Sequence, residues 1–139
     1  MMRIRVEGDA QKLVDFMTSH NYPYQEGNWT KESLQKYSIM VRLEDWDGLI
    51  ATTFGFMWAT WVDGARSTLD FHAIVIPEYR LKWFSLFPDL EKLAGFLGAS
   101  TIYTKTPGDP KCAELTRLFL IRRLGFKRHD DGAVYKSIG

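Results

Sequence analysis

Hydrophobic and polar residues alternate at the start of the chain. Met2-Arg3-Ile4-Arg5-Val6-Glu7 has the period of two that a half-buried strand requires (β1), and Gly8-Asp9 then supplies a turn with Asp9 placed to cap a helix. From Ala10 to Ser19 the period changes: Leu13, Val14, Phe16 and Met17 recur at helical spacing (α1), until Asn21 and Pro23 stop the pattern. Tyr22 to Trp29 reads as a loop. Thr30 can cap a short helix through Tyr37 (α2), with Glu26 and Glu32 placing negative charge near its N-terminus. Ser38 to Glu44 (β2), Leu49 to Trp61 (β3) and Ser67 to Ile76 (β4) are strand-like. Asp45-Trp46-Asp47-Gly48 and Asp63-Gly64 stand between them as tight turns, so the three strands predict an antiparallel meander.

Pro77 cannot donate to a ladder and ends β4, after which Glu78 to Phe87 must turn toward a helix. Leu90, Leu93, Ala94 and Leu97 stand at i, i+3, i+4 and i+7, and Gly98 is a natural C-terminal cap (α3). Pro88 fits the first turn of that helix but restricts Phe87, so α3 is expected to begin about a turn late. Thr101 to Thr104 is a short β-branched strand (β5), and Pro107-Gly108-Asp109-Pro110 is a turn. Cys112 to Leu124 follows as a mostly apolar helix (α4), ended by Gly125. Phe126 to His129 (β6) and Ala133 to Ser137 (β7) flank Asp130-Asp131-Gly132 as a hairpin. The order β-α-α-β-β-β-α-β-α-β-β combines a meander with β-α-β crossovers. The expected class is therefore α/β (α+β), a mixed, mainly antiparallel sheet with helices on both faces, in one domain over 1–139.

Two stretches carry a family resemblance. Ile74-Val75-Ile76-Pro77-Glu78-Tyr79-Arg80 resembles the end of the fourth strand and the start of the pyrophosphate loop in the GNAT N-acetyltransferase superfamily. Arg123-Leu124-Gly125-Phe126 resembles that family's junction from last helix to strand. The element order extends the resemblance over nearly the whole chain. It implies acetyl-CoA, or another acyl-CoA, as co-substrate and an amine as acceptor. The pantetheine would pair along Ile74, Val75 and Ile76, and the pyrophosphate would lie on Arg80-Leu81-Lys82-Trp83-Phe84-Ser85, where amides at a helix start receive an anion. The family pattern in this loop is Arg or Gln, two residues, Gly, one residue, then Gly or Ala. Arg80 and Lys82 are suitable phosphate partners, but Trp83 replaces the first glycine and Ser85 the second small residue. An indole there obstructs the amides unless the loop takes another course. The alternative is a basic-aromatic surface loop that packs Trp83 into the fold.

The resemblance also implies a general base, a carboxylate on β4 or its neighbour. By alternation Asp70 and His72 share one face of β4, while Leu69, Phe71, Ala73 and Val75 share the other. Either Asp70 or His72 can take a proton near neutral pH, or serve as a hydrogen-bonded structural group, and Glu78 is a third candidate. The family's general acid, a tyrosine on the last helix, corresponds here to Ile121. Tyr103 or Tyr79 would have to substitute. The family's asparagine between β5 and α4 has only Thr106 or Asp109 to replace it.

Composition narrows the remaining classes. The 139 residues are 45% hydrophobic, enough for a sizeable core. Eighteen basic and 17 acidic residues leave a net charge of +1, so neither nucleic acid nor an anionic membrane is an expected partner. No leader pattern and no apolar run of about 18 residues occurs, from which a cytoplasmic protein is expected. The one cysteine, Cys112, excludes an intramolecular disulfide and reads as a small core residue rather than a nucleophile paired with His72 or His129. His20, His72 and His129 lack metal-ligand spacing. Arg117, Arg122, Arg123, Lys127 and Arg128 form a basic cluster, read as a solvated face or as a partner for the CoA 3′-phosphate. Trp46 in a hairpin turn hints at a recognition surface, and sheet edges leave a homodimer open. Two readings follow: an acyl-CoA-dependent N-acyltransferase, or a GNAT-fold binding or structural module without acetyl transfer. Small phage-encoded proteins of this fold, some virion-associated, resemble the chain in size and in eroded motifs.

Overall fold

The computed structural model describes residues 1–20, 30–62, 66–105 and 110–138. The loop expected over Tyr22–Trp29, the Asp63-Gly64 turn, the Pro107-Gly108-Asp109 turn and the side chain of Cys112 lie outside the described residues. The elements are β1 (Met2–Glu7), α1 (Ala10–Ser19), α2 (Lys31–Tyr37), β2 (Ser38–Asp47), β3 (Ile50–Trp61), β4 (Thr68–Val75), two 3-10 turns (Pro77–Tyr79 and Lys82–Leu86), α3 (Phe87–Phe96), β5 (Thr101–Thr104), α4 (Pro110–Leu124), β6 (Lys127–Arg128) and β7 (Val134–Ser137). The strands hydrogen-bond in the order β1-β2-β3-β4-β5-β7-β6. Pairs β1–β2, β2–β3, β5–β7 and β6–β7 are antiparallel, and β4–β5 is parallel, so the sheet is mixed and mainly antiparallel. The chain divides into two compact units, Met1–Thr60 with Ala73–Asp89 and Trp61–His72 with Leu90–Gly139; β4 contributes to both.

In the first unit, α1 and α2 lay Ala10, Leu13, Phe16, Met17 and Leu34 on Met40, Phe56 and Trp58 of the sheet, with Ile74 and Ile76 at the margin. Their starts are fixed by polar side chains. Asp9 accepts from the Gln11 amide at 2.9 Å. The Gln35 carboxamide ties α2 back to the β1–α1 turn, accepting from Ala10 N at 2.9 Å and donating to Gly8 O at 2.7 Å. Thr30 caps α2 as expected, and Ser33 completes a reciprocal capping box.

The β2–β3 turn is shorter than its sequence suggests. β2 continues through Asp45, Trp46 and Asp47, leaving Gly48 (φ +62°) and Leu49 to make the reversal. The partner strand explains the difference. β1 pairs Met2 with Asp45, and Trp46 N donates to Met1 O at 2.8 Å. Trp46 is accordingly a half-buried strand residue with the Arg3 guanidinium 5.4 Å from its ring, which corrects its reading as an exposed turn aromatic. Gly55 of β3 meets the next strand closely: a Cβ built on it would lie 2.6 Å from Ile74 O.

In the second unit, Leu69, Phe71, Ile102 and Val134 are buried on one side of the strands. Lys136, the Cα partner of Ile102, shares that side and is ion-paired with Glu91 of α3 at 2.6 Å. Gly98, at φ +96°, ends α3, and Ala99 N returns to Ala94 O at 3.0 Å. The expected late start of α3 does not occur. Phe87 is in the αR region, its amide bonded to Phe84 O, because its ring is buried and packing overrides the restraint from Pro88. The basic cluster is largely the solvated face expected: Arg122, Arg123, Lys127 and Arg128 are exposed and Arg117 is half-buried, with Arg117 and Arg128 both binding the Glu114 carboxylate.

Candidate functional site

The register between β4 and β5 runs Thr68↔Thr101, Leu69↔Ile102 and Asp70↔Tyr103. One side-chain bond follows it, Thr104 Oγ1 to Phe71 O at 2.9 Å, and β5 ends there. Asp70 and His72 stand at this point. They are two residues apart on the half-buried face of β4, with His72 Nε2 3.3 Å from Asp70 Oδ2. The second carboxylate oxygen of Asp70 is buried with no hydrogen-bond partner among the described residues. A carboxylate beside an imidazole can hold and pass a proton, and an unsatisfied buried oxygen leaves one acceptor available.

Tyr103 lies beside this pair on β5. Its hydroxyl donates to Asp131, whose other oxygen accepts from Ala133 N at 2.9 Å and lies 3.0 Å from His129 Nδ1. The β6–β7 hairpin builds this cluster: His129 N donates to Ala133 O at 2.8 Å, and Gly132 sits at φ +87°. Burial, followed by the bond to Asp131, pushes the Tyr103 phenol up to about 12. The same bond, with Ala133 N and His129 behind it, brings the Asp131 carboxyl down to about 2.

The expected cofactor residues all belong to the first unit. Ile74 and Val75 close β4, and Ile76 N donates to Phe54 O at 2.9 Å. The chain then winds into 3-10 turns rather than an open loop: Tyr79 N bonds Ile76 O, Arg80 N bonds Pro77 O, and Ser85 Oγ bonds Lys82 O. Glu78 is exposed on the first turn. Arg80, Leu81, Lys82 and Ser85 are exposed, and Phe84 is buried. Trp83 packs on Phe84 (ring centroids 4.8 Å) and Phe87 (5.1 Å). No side chain caps the second turn.

Alternation along β4 was sufficient to bring out Asp70 and His72. The carboxylate partners of the two spare tyrosines, Asp45 for Tyr79 and Asp131 for Tyr103, were not legible, since each sits in a segment that reads as a turn. Among the described residues no group of three or more His, Cys, Asp or Glu could hold a metal ion, and no helix is long and apolar enough to cross a membrane.

No family model matches the chain, and no curated protein sequence matches it. Solved structures do. Spermidine N-acetyltransferase from Vibrio cholerae, in complex with CoA and spermine, aligns with a TM-score of 0.68 at 15% identity over 99% of this chain and 95% of that one. An acetyltransferase of the GNAT family from Streptococcus pneumoniae aligns at 0.66 and 15% identity over the whole of both chains. Aminoglycoside 6′-N-acetyltransferase complexed with coenzyme A aligns at 0.60 and 17% identity, covering 99% and 97%. At these identities the likeness establishes the fold: the chain has the architecture of the GNAT acetyltransferases.

Proposed function

We propose that this GNAT-fold chain is an acyl-CoA-dependent N-acyltransferase acting on an amine. The observation that carries the reading is the Asp70–His72 pair, half-buried at the point where the β4–β5 register ends, with one oxygen of Asp70 unsatisfied. The neighbours complexed with CoA, one of them with spermine as well, support the class of both substrates. In the proposed reaction the ammonium of the acceptor gives a proton to Asp70 or His72. The freed amine then attacks the thioester carbon, a C–N bond forms, the C–S bond breaks, the nitrogen gives up its second proton to solvent, and the departing thiolate takes a proton from solvent. Pantetheine pairs along Ile74, Val75 and Ile76, and Arg80 and Lys82 offer charge to the diphosphate. The packing of Trp83 on Phe84 and Phe87 supports a course in which the indole leaves the diphosphate room.

One observation favours the other reading, a binding or structural module without acetyl transfer. The amides of Tyr79 and Arg80 are already bonded within the first 3-10 turn, so the family's open loop is reduced. Calorimetric titration with acetyl-CoA separates the two. Binding that weakens in Arg80→Ala supports the enzyme, and no binding at millimolar ligand removes it. With binding in hand, Asp70→Asn and His72→Ala are assayed for thiol release against polyamine and aminoglycoside acceptors. Each is expected to lower turnover on the order of 100-fold; full activity in both would remove the proposed base.

A further inference from the structure

Tyr79 joins three elements of the first unit just before Arg80. Its ring stacks on Phe54 of β3, centroids 4.2 Å apart and 13° from parallel. Its hydroxyl donates to Asp45 Oδ2 of β2 at 2.7 Å. The Lys82 ammonium lies 5.7 Å from its ring centroid. The two 3-10 turns are short and have no side-chain cap of their own. A 3-10 turn has poor hydrogen-bond geometry and little intrinsic stability, so its course depends on what anchors it from outside. Tyr79 makes the side-chain contacts that fasten the first turn to the sheet. The bond is charge-assisted: the Tyr79 hydroxyl, and after it the chain's terminal ammonium, hold the Asp45 carboxyl below the usual range, and Asp45 holds the Tyr79 phenol above its own.

We propose that Tyr79 is a positioning residue for acyl-CoA: its stack on Phe54 and its bond to Asp45 set where Arg80 and Lys82 stand, and thereby the affinity for the diphosphate. The proposal rests on the acyl-CoA reading above, and adds that this affinity is built from β2 and β3 rather than from glycines in the loop. Where the family uses small residues to let amides approach a phosphate, this chain winds the segment tightly and pins it through an aromatic stack and a carboxylate. Lys82 is drawn into the same arrangement, since its ammonium faces the Tyr79 ring and its charge also lowers Asp45. Arg80, the next residue after the pin, is exposed and has no such engagement among the described residues.

Calorimetry with CoA on the whole chain tests this, because it reads affinity and the number of competent sites at once. Tyr79→Phe keeps the stack and removes the hydroxyl. It is expected to raise Kd about tenfold with stoichiometry held, the worth of one hydrogen bond to a charged group. Asp45→Asn approaches the same bond from its acceptor side and leaves Tyr79 intact; it keeps an acceptor oxygen and should show a smaller rise. A purely structural role would act differently, lowering the number of sites per chain and leaving Kd where it was. That result in both variants, or wild-type Kd in both, overturns the proposal while the acyl-CoA reading stands. Absence of CoA binding in the unmodified chain removes the acyl-CoA reading itself.

Discussion

At the scale of single residues, two positions turn geometry into measurable stability. Gly55 has no side chain because Ile74 O occupies the place a Cβ would take, 2.6 Å away. The obstacle is backbone and cannot swing aside, so Gly55→Ala should cost between about 1 and 3 kcal/mol in urea denaturation. An unchanged midpoint would mean that β4 gives way easily. Tyr103 is coupled to pH. Its phenol is raised from 10.0 to about 12, so the stability it contributes is complete below about 10 and is lost as pH rises toward 12. The Asp131 carboxyl is depressed from 3.8 to about 2, so its contribution is complete above about 4 and is lost as pH falls toward 2. Tyr103→Phe removes the shared bond. The gap in thermal midpoint between wild type and variant should be constant from about pH 4 to 10 and narrow on both sides. A gap that ignores pH would show that the hydroxyl does not bond Asp131 in solution.

At the scale of elements, what could be read from the chain was whatever local chemistry decides. α1 begins at its Asp9 cap and α2 at its Thr30 cap, and the apolar spacing of Leu90, Leu93 and Ala94 marks α3. The differences arise where a partner distant in sequence decides. Asp45-Trp46-Asp47 reads as a turn, yet pairing with β1 extends it as strand; Phe87 before Pro88 reads as non-helical, yet burial of its ring makes it αR. The same holds at the candidate site. Asp70 and His72 follow from alternation within one strand, whereas the Tyr79–Asp45 and Tyr103–Asp131 bonds join residues 34 and 28 positions apart. Trp83 is the case with a test attached. Its stack on Phe84 and tilted contact with Phe87 hold the second 3-10 turn against the start of α3, and aromatic pairs are worth about 0.5–1.5 kcal/mol each beyond area. Trp83→Ala is therefore expected to lose about 2 kcal/mol of stability in urea while changing the Kd for CoA less than Arg80→Ala does. A tenfold gain in CoA affinity on removing the indole would show that it obstructs the loop after all.

At the scale of the whole molecule, a net charge of +1 offers a polyanion no long-range attraction. If CoA binds, the electrostatic part of its affinity must come from local cations, and the exposed pair Arg80 and Lys82 is where the fold supplies them next to β4. Exposed charges are screened: the Debye length shrinks from about 10 Å at 0.1 M salt to about 3 Å at 1 M. The Kd for CoA should therefore rise with salt, and the two cations should not share the dependence equally. Lys82 already faces the Tyr79 ring and the Asp45 carboxylate, so part of its field is cancelled before any ligand arrives. Arg80 is exposed with no such neighbour among the described residues, and its guanidinium suits a phosphate in a fork geometry. Arg80→Ala should thus flatten the salt dependence more than Lys82→Ala. Thermal shifts give the same comparison without an acceptor, since a ligand at 100 times its Kd stabilises the folded chain by about 2.7 kcal/mol. Equal slopes for wild type and both variants would mean that the diphosphate is held elsewhere, and would direct attention to the exposed Arg122 and Arg123 at the end of α4.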